Sequence, residues 1–215
     1  MEQGLDDFHS ETTETRSTED EELSSGSRAW CFIRDILETL VLAVLLFFAI
    51  NAVSARIRVD GSSMVPTLID GQFVMVNRLA YHLGDFITGE VKHGDVVVFQ
   101  YPRDPEQEYI KRIIALPGDN VEITSGHVFV NGQQLIEPYI AADARSEGDW
   151  FVPANHIFVL GDNRNNSQDS RSFGYVSMEN VIGKAIFIYR PPTDWCLITN
   201  PQNGATTPNA YPQKL

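Results

Sequence analysis

Hydrophobic and polar positions divide the chain into three regimes. From Ile36 to Val53 the run ILETLVLAVLLFFAINAV has no polar face, and Thr39 to Val53 hold no charge, with Thr39 and Asn51 as the only polar side chains. A helix apolar on all sides is either buried in a core or set in a membrane. Crossing the hydrocarbon layer takes about 20 residues. Extending the run from Ile36 to Ala55 reaches that length with Glu38 near one end, and Trp30, Arg34, Arg56 and Arg58 flank it as interfacial anchors. The pattern predicts one transmembrane helix, with its flanks occupying residues 29–55. A cleaved leader would have a basic stretch ahead of the apolar run, whereas here an acidic one precedes it.

Beyond Arg58 the period changes. FVMVNRL at 73–79, DVVVFQY at 95–101, YIKRIIAL at 109–116, NVEI at 120–123, HVFV at 127–130, HIFVL at 156–160 and AIFIY at 185–189 are short, rich in β-branched and aromatic residues, and separated by Gly, Pro, Asn or Asp. These are strand signals. Asn131-Gly132, between HVFV and QLI, predicts a two-residue type I′ hairpin. No βαβ alternation and no internal repeat is found. The expected fold is mostly β: an antiparallel domain over residues 56–200, preceded by the transmembrane helix and followed by an irregular tail, PQNGATTPNAYPQKL, at 201–215.

The third regime is residues 1–28, where nine Asp or Glu stand against Arg16 and Arg28 with almost no large apolar residues. Such a composition cannot bury enough surface to order itself, and predicts a disordered acidic tail. The formal net charge of the whole chain is −13. That argues against a nucleic-acid binder, which needs a basic patch, so no nucleic-acid partner is expected. Two cysteines, Cys31 and Cys196, form neither a disulfide framework nor a Cys-x-x-Cys metal site.

Three stretches could carry chemistry. GSSMVPTLIDG, from Gly61 to Gly71, sets two serines in a turn just past the apolar run. A serine nucleophile needs a base, and none of the five histidines stands in a recognisable motif: His9 is in the tail, His82 and His93 are in polar loops, and His127 and His156 open strands. A Ser-His-Asp triad assembles in space and is left open by the sequence. Lysine is the other base. Its free pKa of about 10.4 keeps it protonated at neutral pH, but burial among apolar groups lowers that value. Lys111, in EYIKRIIALPGD, fits. On this feature alone the favoured reading is an edge-strand lysine that blunts aggregation. Alternation puts Lys111 and Arg112 on opposite faces, so one is expected buried and the other solvated. The third stretch, VLGDNRNNSQDSRSFGYV at 159–176, is a polar loop whose spacing is not that of an EF-hand. Its Asp169 and Arg171 are placed to pair.

In this order, behind one hydrophobic segment, GSSMVPTL, GDVVVFQYP, YIKRIIALPGD and GDNRNNSQDSRSFGYV closely resemble the type I signal peptidases, membrane-anchored Ser/Lys proteases that remove signal peptides from exported proteins. The likeness covers residues 36 to about 190. It implies Ser63, the serine before methionine, as nucleophile and Lys111 as general base. It implies Ser167 as the hydroxyl that orients the lysine, and Asp169 and Arg171 as a supporting pair. The Ser63 backbone N–H would hold the oxyanion. Some members add a serine hydroxyl two residues earlier, where this chain has Gly61; Ser62 is a weaker substitute. Met64 and Ile110 would line the substrate site, which takes an extended peptide and cuts after small residues in an A-x-A-like pattern. The implied partners are signal-peptide-bearing preproteins and the lipid bilayer, with no cofactor and no metal. The implied location is the bacterial plasma membrane or a thylakoid membrane, with the N-terminus cytoplasmic and the β domain on the outer or lumenal side. Other readings are a catalytically silent membrane-anchored β module, a LexA-like self-cleaving Ser/Lys protein and, from the acidic loop alone, a metal-binding adhesion domain.

Overall fold

In the computed structural model, residues 14–81 and 91–200 are described. His9, His82 and the expected tail at 201–215 lie outside them. The chain divides into two units, Met1–Ala52 and Val53–Leu215. The first is built on one helix, α1 (Glu14–Val53). It begins within the stretch expected to be an unstructured tail, since extending a helix costs far less than nucleating one. Its described apolar side chains, among them Leu37, Leu40, Leu42, Leu45 and Phe48, are exposed. Among the described residues no helix is long and apolar enough to cross a membrane; the uncharged stretch Thr39–Asn51 follows closely on Arg34, Asp35 and Glu38. The helix ends before the expected Ala55. Strand β1 (Ser54–Arg58) follows at once, so Arg56 and Arg58, expected as flanks of the span, stand on a strand.

The remaining strands are β2 (Phe73–Asn77), β3 (Val96–Tyr101), β4 (Asp104–Ala115), β5 (Asn120–Thr124), β6 (His127–Val130), β7 (Gln133–Gln134), β8 (Gly148–Phe151), β9 (His156–Leu160), β10 (Val176–Ser177), β11 (Val181–Arg190) and β12 (Cys196–Leu197), with a single-turn helix α2 (Ser170–Phe173). Every predicted run is among them. The larger sheet runs β1-β2-β11-β3-β4-β9-β10 with β12 beside β11, and the smaller runs β7-β6-β5-β8. All pairings are antiparallel. The Asn131-Gly132 hairpin forms as expected, with both residues at positive φ (53° and 77°) and Val130 opposite Gln133.

β3 shows how the pattern builds the core. Val96 and Val98 face one apolar cluster, with Met64, Leu68, Val74, Val76 and Ile110; Val97 and Phe99 face another, with Ile113, Ile157 and Val159. Both faces are covered, so the strand reads as a continuous apolar run. A third cluster, including Ile114, Val121, Val128, Phe158 and Leu160, fills the space under the smaller sheet. β4 is divided along its length: Asp104 to Glu108 are largely exposed, and Ile110 to Ala115 are buried. Lys111 and Arg112 lie at the start of the buried half.

Candidate active site

The turn carrying Ser63 leaves β1 and is held from both sides. Val59 donates to the Gln72 carbonyl, Gly71 to the Val59 carbonyl, and Gly61 N–H to Asp70 Oδ1 at 2.7 Å. Gly61 has φ +88°, a conformation that favours glycine. Met64 and Leu68 anchor the turn in the core. From the other side, the loop after β9 grips the serines: Asn163 N–H donates to the Ser63 carbonyl (2.9 Å), Asn163 Nδ2 to the Ser62 carbonyl (3.1 Å) and Asn166 Nδ2 to Ser62 Oγ (2.9 Å). Gly161 lets that loop come close. A Cβ there would meet Ser167 Oγ and lie 2.5 Å from the Ser63 carbonyl oxygen.

Lys111 Nζ lies 2.8 Å from Ser63 Oγ and 2.9 Å from the Ile110 carbonyl. The lysine is 4% exposed. Burial takes its pKa from 10.5 down to about 8, against a partial upward pull from Asp169 and Asp162. At pH 7 about one amine in ten is then neutral, against about one in three thousand for a free lysine. Such an amine is able to take the proton of a hydroxyl within hydrogen-bond reach as that oxygen attacks.

Arg112 corrects an expectation. It was to be solvated if Lys111 was buried; instead both are buried, Arg112 completely. The reason is its pairing. Arg112 Nε and Nη2 grip Asp162 at 2.8 and 2.6 Å, Nη1 reaches the Gly94 carbonyl at 2.9 Å, and the guanidinium lies 3.9 Å from the Tyr139 ring centroid. Thr67 Oγ1 donates to the same carboxylate, tying the Ser63 turn to β4. A bidentate, hydrogen-bonded pair of this kind can be buried where a lone charge cannot.

The Asp169–Arg171 pair forms: Arg171 Nε and Nη2 contact Asp169 at 2.8 and 2.7 Å, and Asp169 also accepts from Gly161 N–H. Arg164, from the same loop, pairs with Glu137. That bond and the Arg112–Asp162 bond were missed from sequence, since each joins residues far apart along the chain. Ser167, expected to bond the lysine, makes no hydrogen bond among the described residues, although its hydroxyl is buried. Ile110 lines a groove of about 420 Å³ beside Ser63 and Lys111, with Ile57, Val98, Tyr109 and Gln168. Met64, 1% exposed, sits in the core and does not line it. The groove runs between two strand edges, β1 at Ile57 and Arg58, and β4 at Gln107 to Ile110, that pair with no further strand among the described residues. His93 does pair with an aspartate, Asp119 (2.7 Å), but among the described residues no serine hydroxyl bonds to it.

A model of the family described as signal peptidase, peptidase S26, matches residues 32–190. The chain belongs to the signal peptidase family. It is 37% identical to the probable signal peptidase I-1 of Synechocystis over 77% of this chain and 87% of that protein. It is 38% identical to signal peptidase I S of Bacillus subtilis over 74% and 91%. A crystal structure of a signal peptidase I from Enterococcus faecalis V583 is 33% identical, covering 44% of this chain and 96% of that one, with a TM-score of 0.42. The mostly antiparallel β fold and the peptidase class expected from the sequence both stand. In this signal peptidase both buried carboxylates of the polar loop at 159–176, Asp162 and Asp169, are taken up by arginines.

Proposed function

We propose that this signal peptidase removes signal peptides from exported preproteins, cutting after small residues, with Ser63 as nucleophile and Lys111 as base. One observation carries the assignment: the buried Lys111 amine lies 2.8 Å from Ser63 Oγ, while the carboxylates around it are occupied by arginines. The neutral amine takes the Ser63 proton as Oγ bonds to the scissile carbonyl carbon. The Ser63 N–H donates to the oxyanion, and it has no acceptor among the described residues that would compete for it. As the intermediate collapses, the peptide C–N bond breaks and the lysine returns its proton to the leaving nitrogen. Water then attacks the acyl-serine with Lys111 again as base.

Ser167 is the candidate orienter of the amine; its unpartnered, buried hydroxyl has the capacity for that bond. Asp169 and Arg171 hold the loop. The substrate adds as a strand in the groove, where two unpaired edges supply main-chain partners. Ile110, Val98 and Ile57 form an apolar floor for small side chains, and Met64 supports it from beneath.

The helix is proposed as a single membrane span, with residues 29–55 as the span and its flanks and 56–200 as the peptidase domain. The supports are the uncharged run Thr39–Val53 and the exposure of apolar side chains all round the helix. In the orientation that the family resemblance implies, the acidic N-terminus lies on the cytoplasmic side of a plasma or thylakoid membrane and the peptidase domain on the other side, and the span raises the effective concentration of membrane-borne substrate.

The test is cleavage, by detergent-solubilised full chain, of a preprotein bearing an A-x-A site, comparing the parent with Ser63→Ala and Lys111→Ala. Processing by the parent alone is expected. Equal processing by all three would exclude this mechanism, and none even by the parent in lipid would favour a silent binding module.

A further inference from the structure

Gln168 occupies a position that the resemblance leaves open, between Ser167 and Asp169, yet it lines the groove beside Ser63 and Lys111. Its amide is held by two hydroxyls: Nε2 donates to Tyr101 Oη at 3.0 Å and Oε1 accepts from Tyr109 Oη at 3.2 Å. The two tyrosine rings are stacked, 4.6 Å between centroids and 11° apart, and Phe173 packs edge-on to Tyr101 at 5.4 Å. Tyr101 is buried. An exposed glutamine is thus fixed on a rigid aromatic platform at the rim of the site.

A primary amide has two N–H donors and two acceptor positions. The tyrosines use one of each, which leaves one donor and one acceptor for a ligand. A hydroxyl can donate or accept, so the amide can turn over and keep both bonds. The rim therefore suits a neutral polar side chain of either hydrogen-bonding sense.

Alternation fixes which substrate residue meets it. On β4, Ile110 faces the cluster of Val98 and Met64, whereas Tyr109 faces the cluster of Val97 and Phe99. A peptide strand laid along β4 sends alternate side chains to these two sides. If the two small residues of the A-x-A-like site lie over Ile57, Val98 and Ile110, the residue between them lies over Tyr109 and Gln168. We propose that Gln168, carried on the Tyr101–Tyr109 stack, is a specificity determinant for that middle residue and favours a neutral hydrogen-bonding side chain over an apolar one of equal size. The inference rests on the peptidase reading above.

The test is kcat/KM of the full chain for two peptides that differ only at the middle position, Gln against Met. The readout is the Gln:Met ratio within each enzyme, so a general loss of activity cancels. In the parent the ratio should be about two to ten, the worth of one net hydrogen bond. Gln168→Leu and Gln168→Ala should bring it to about one. Tyr101→Phe, which loosens the amide from within the core, should give an intermediate value. A parent ratio of one or below, or a ratio unmoved by Gln168→Leu while both peptides are still cut, overturns this inference alone. Failure of the parent to cut either peptide would sink the peptidase reading, and this inference with it.

Discussion

Lys111 and Arg112 are adjacent on β4, both cationic and both buried, and their surroundings are opposite. On the Arg112 side a carboxylate, a backbone carbonyl and an aromatic face are all engaged with the guanidinium. On the Lys111 side the amine meets one hydroxyl, one carbonyl and, at a looser 5.2 Å, the Tyr109 ring, and the carboxylates that act on it, Asp162 and Asp169, belong to other cations. The first arrangement keeps a charge inside the protein. The second makes one unwelcome, and that is the condition for a lysine to act as a base. The site is thus built as much by the arginines that occupy the acids as by the serine and lysine.

The largest effect should come from substitutions on the lysine side. Ser63→Ala and Lys111→Met should each lower kcat by about 10⁴-fold or more, and the double variant should be no worse than either, because the pair acts as a unit. Lys111→Met should also stabilise the fold. The fall from 10.5 to about 8 means that the unfolded chain binds the proton more tightly. At about 1.4 kcal/mol per factor of ten in proton affinity, this amounts to about 3 kcal/mol against folding at pH 7. That penalty is complete below pH 8 and fades as pH rises towards 10.5, so the parent gains stability across that window and Lys111→Met does not. Thermal unfolding against pH checks it.

Arg112→Met should do the reverse. Removing one member of a buried pair strands Asp162 and should cost about 3–5 kcal/mol. Arg112→Met with Asp162→Leu should recover much of that loss in a denaturant titration. If Arg112→Met were as stable as Lys111→Met, the contrast between the two sides would be wrong.

Gly161→Ala sharpens the comparison at smaller scale, since the added methyl group pushes on Ser167 and on the Ser63 carbonyl. A displacement of about 1 Å can cost about 10²-fold in rate, so kcat should fall by that order, with an overpacking loss of about 1–3 kcal/mol of stability. The mildest test is the pH profile of the parent. Only the neutral amine accepts the serine proton, so kcat/KM should rise with pH through a midpoint near 8. Placing an acid on the groove wall, as in Gln168→Glu, should move that midpoint up.

The legible part of the molecule was local. Runs such as DVVVFQY and HIFVL announce strands because both of their faces are apolar, and Asn131-Gly132 announces its turn. β1 was not legible: SARIR continues directly from an apolar helix, and its arginines read as flanks of that run as well as strand residues. β8, GDWF, is too short and too polar to stand out. At the site, Ser63, Lys111 and the Asp169–Arg171 pair were readable from motif order. The Arg112–Asp162 and Arg164–Glu137 bonds were not, because only the sheet register and the loop after β9 bring those residues together. Gln168 carried no signal at all, since its placement depends on two tyrosines that meet across β3 and β4.

The groove between the unpaired edges of β1 and β4 has a consequence for timing. Its walls offer main-chain hydrogen bonds to a single extended chain, whereas a helix or a folded hairpin arrives with those groups already satisfied within itself. Under the proposed strand addition, a precursor is cut only while the residues around its cleavage site are still unfolded, so the rate at which an exported protein acquires structure competes with the release of its leader.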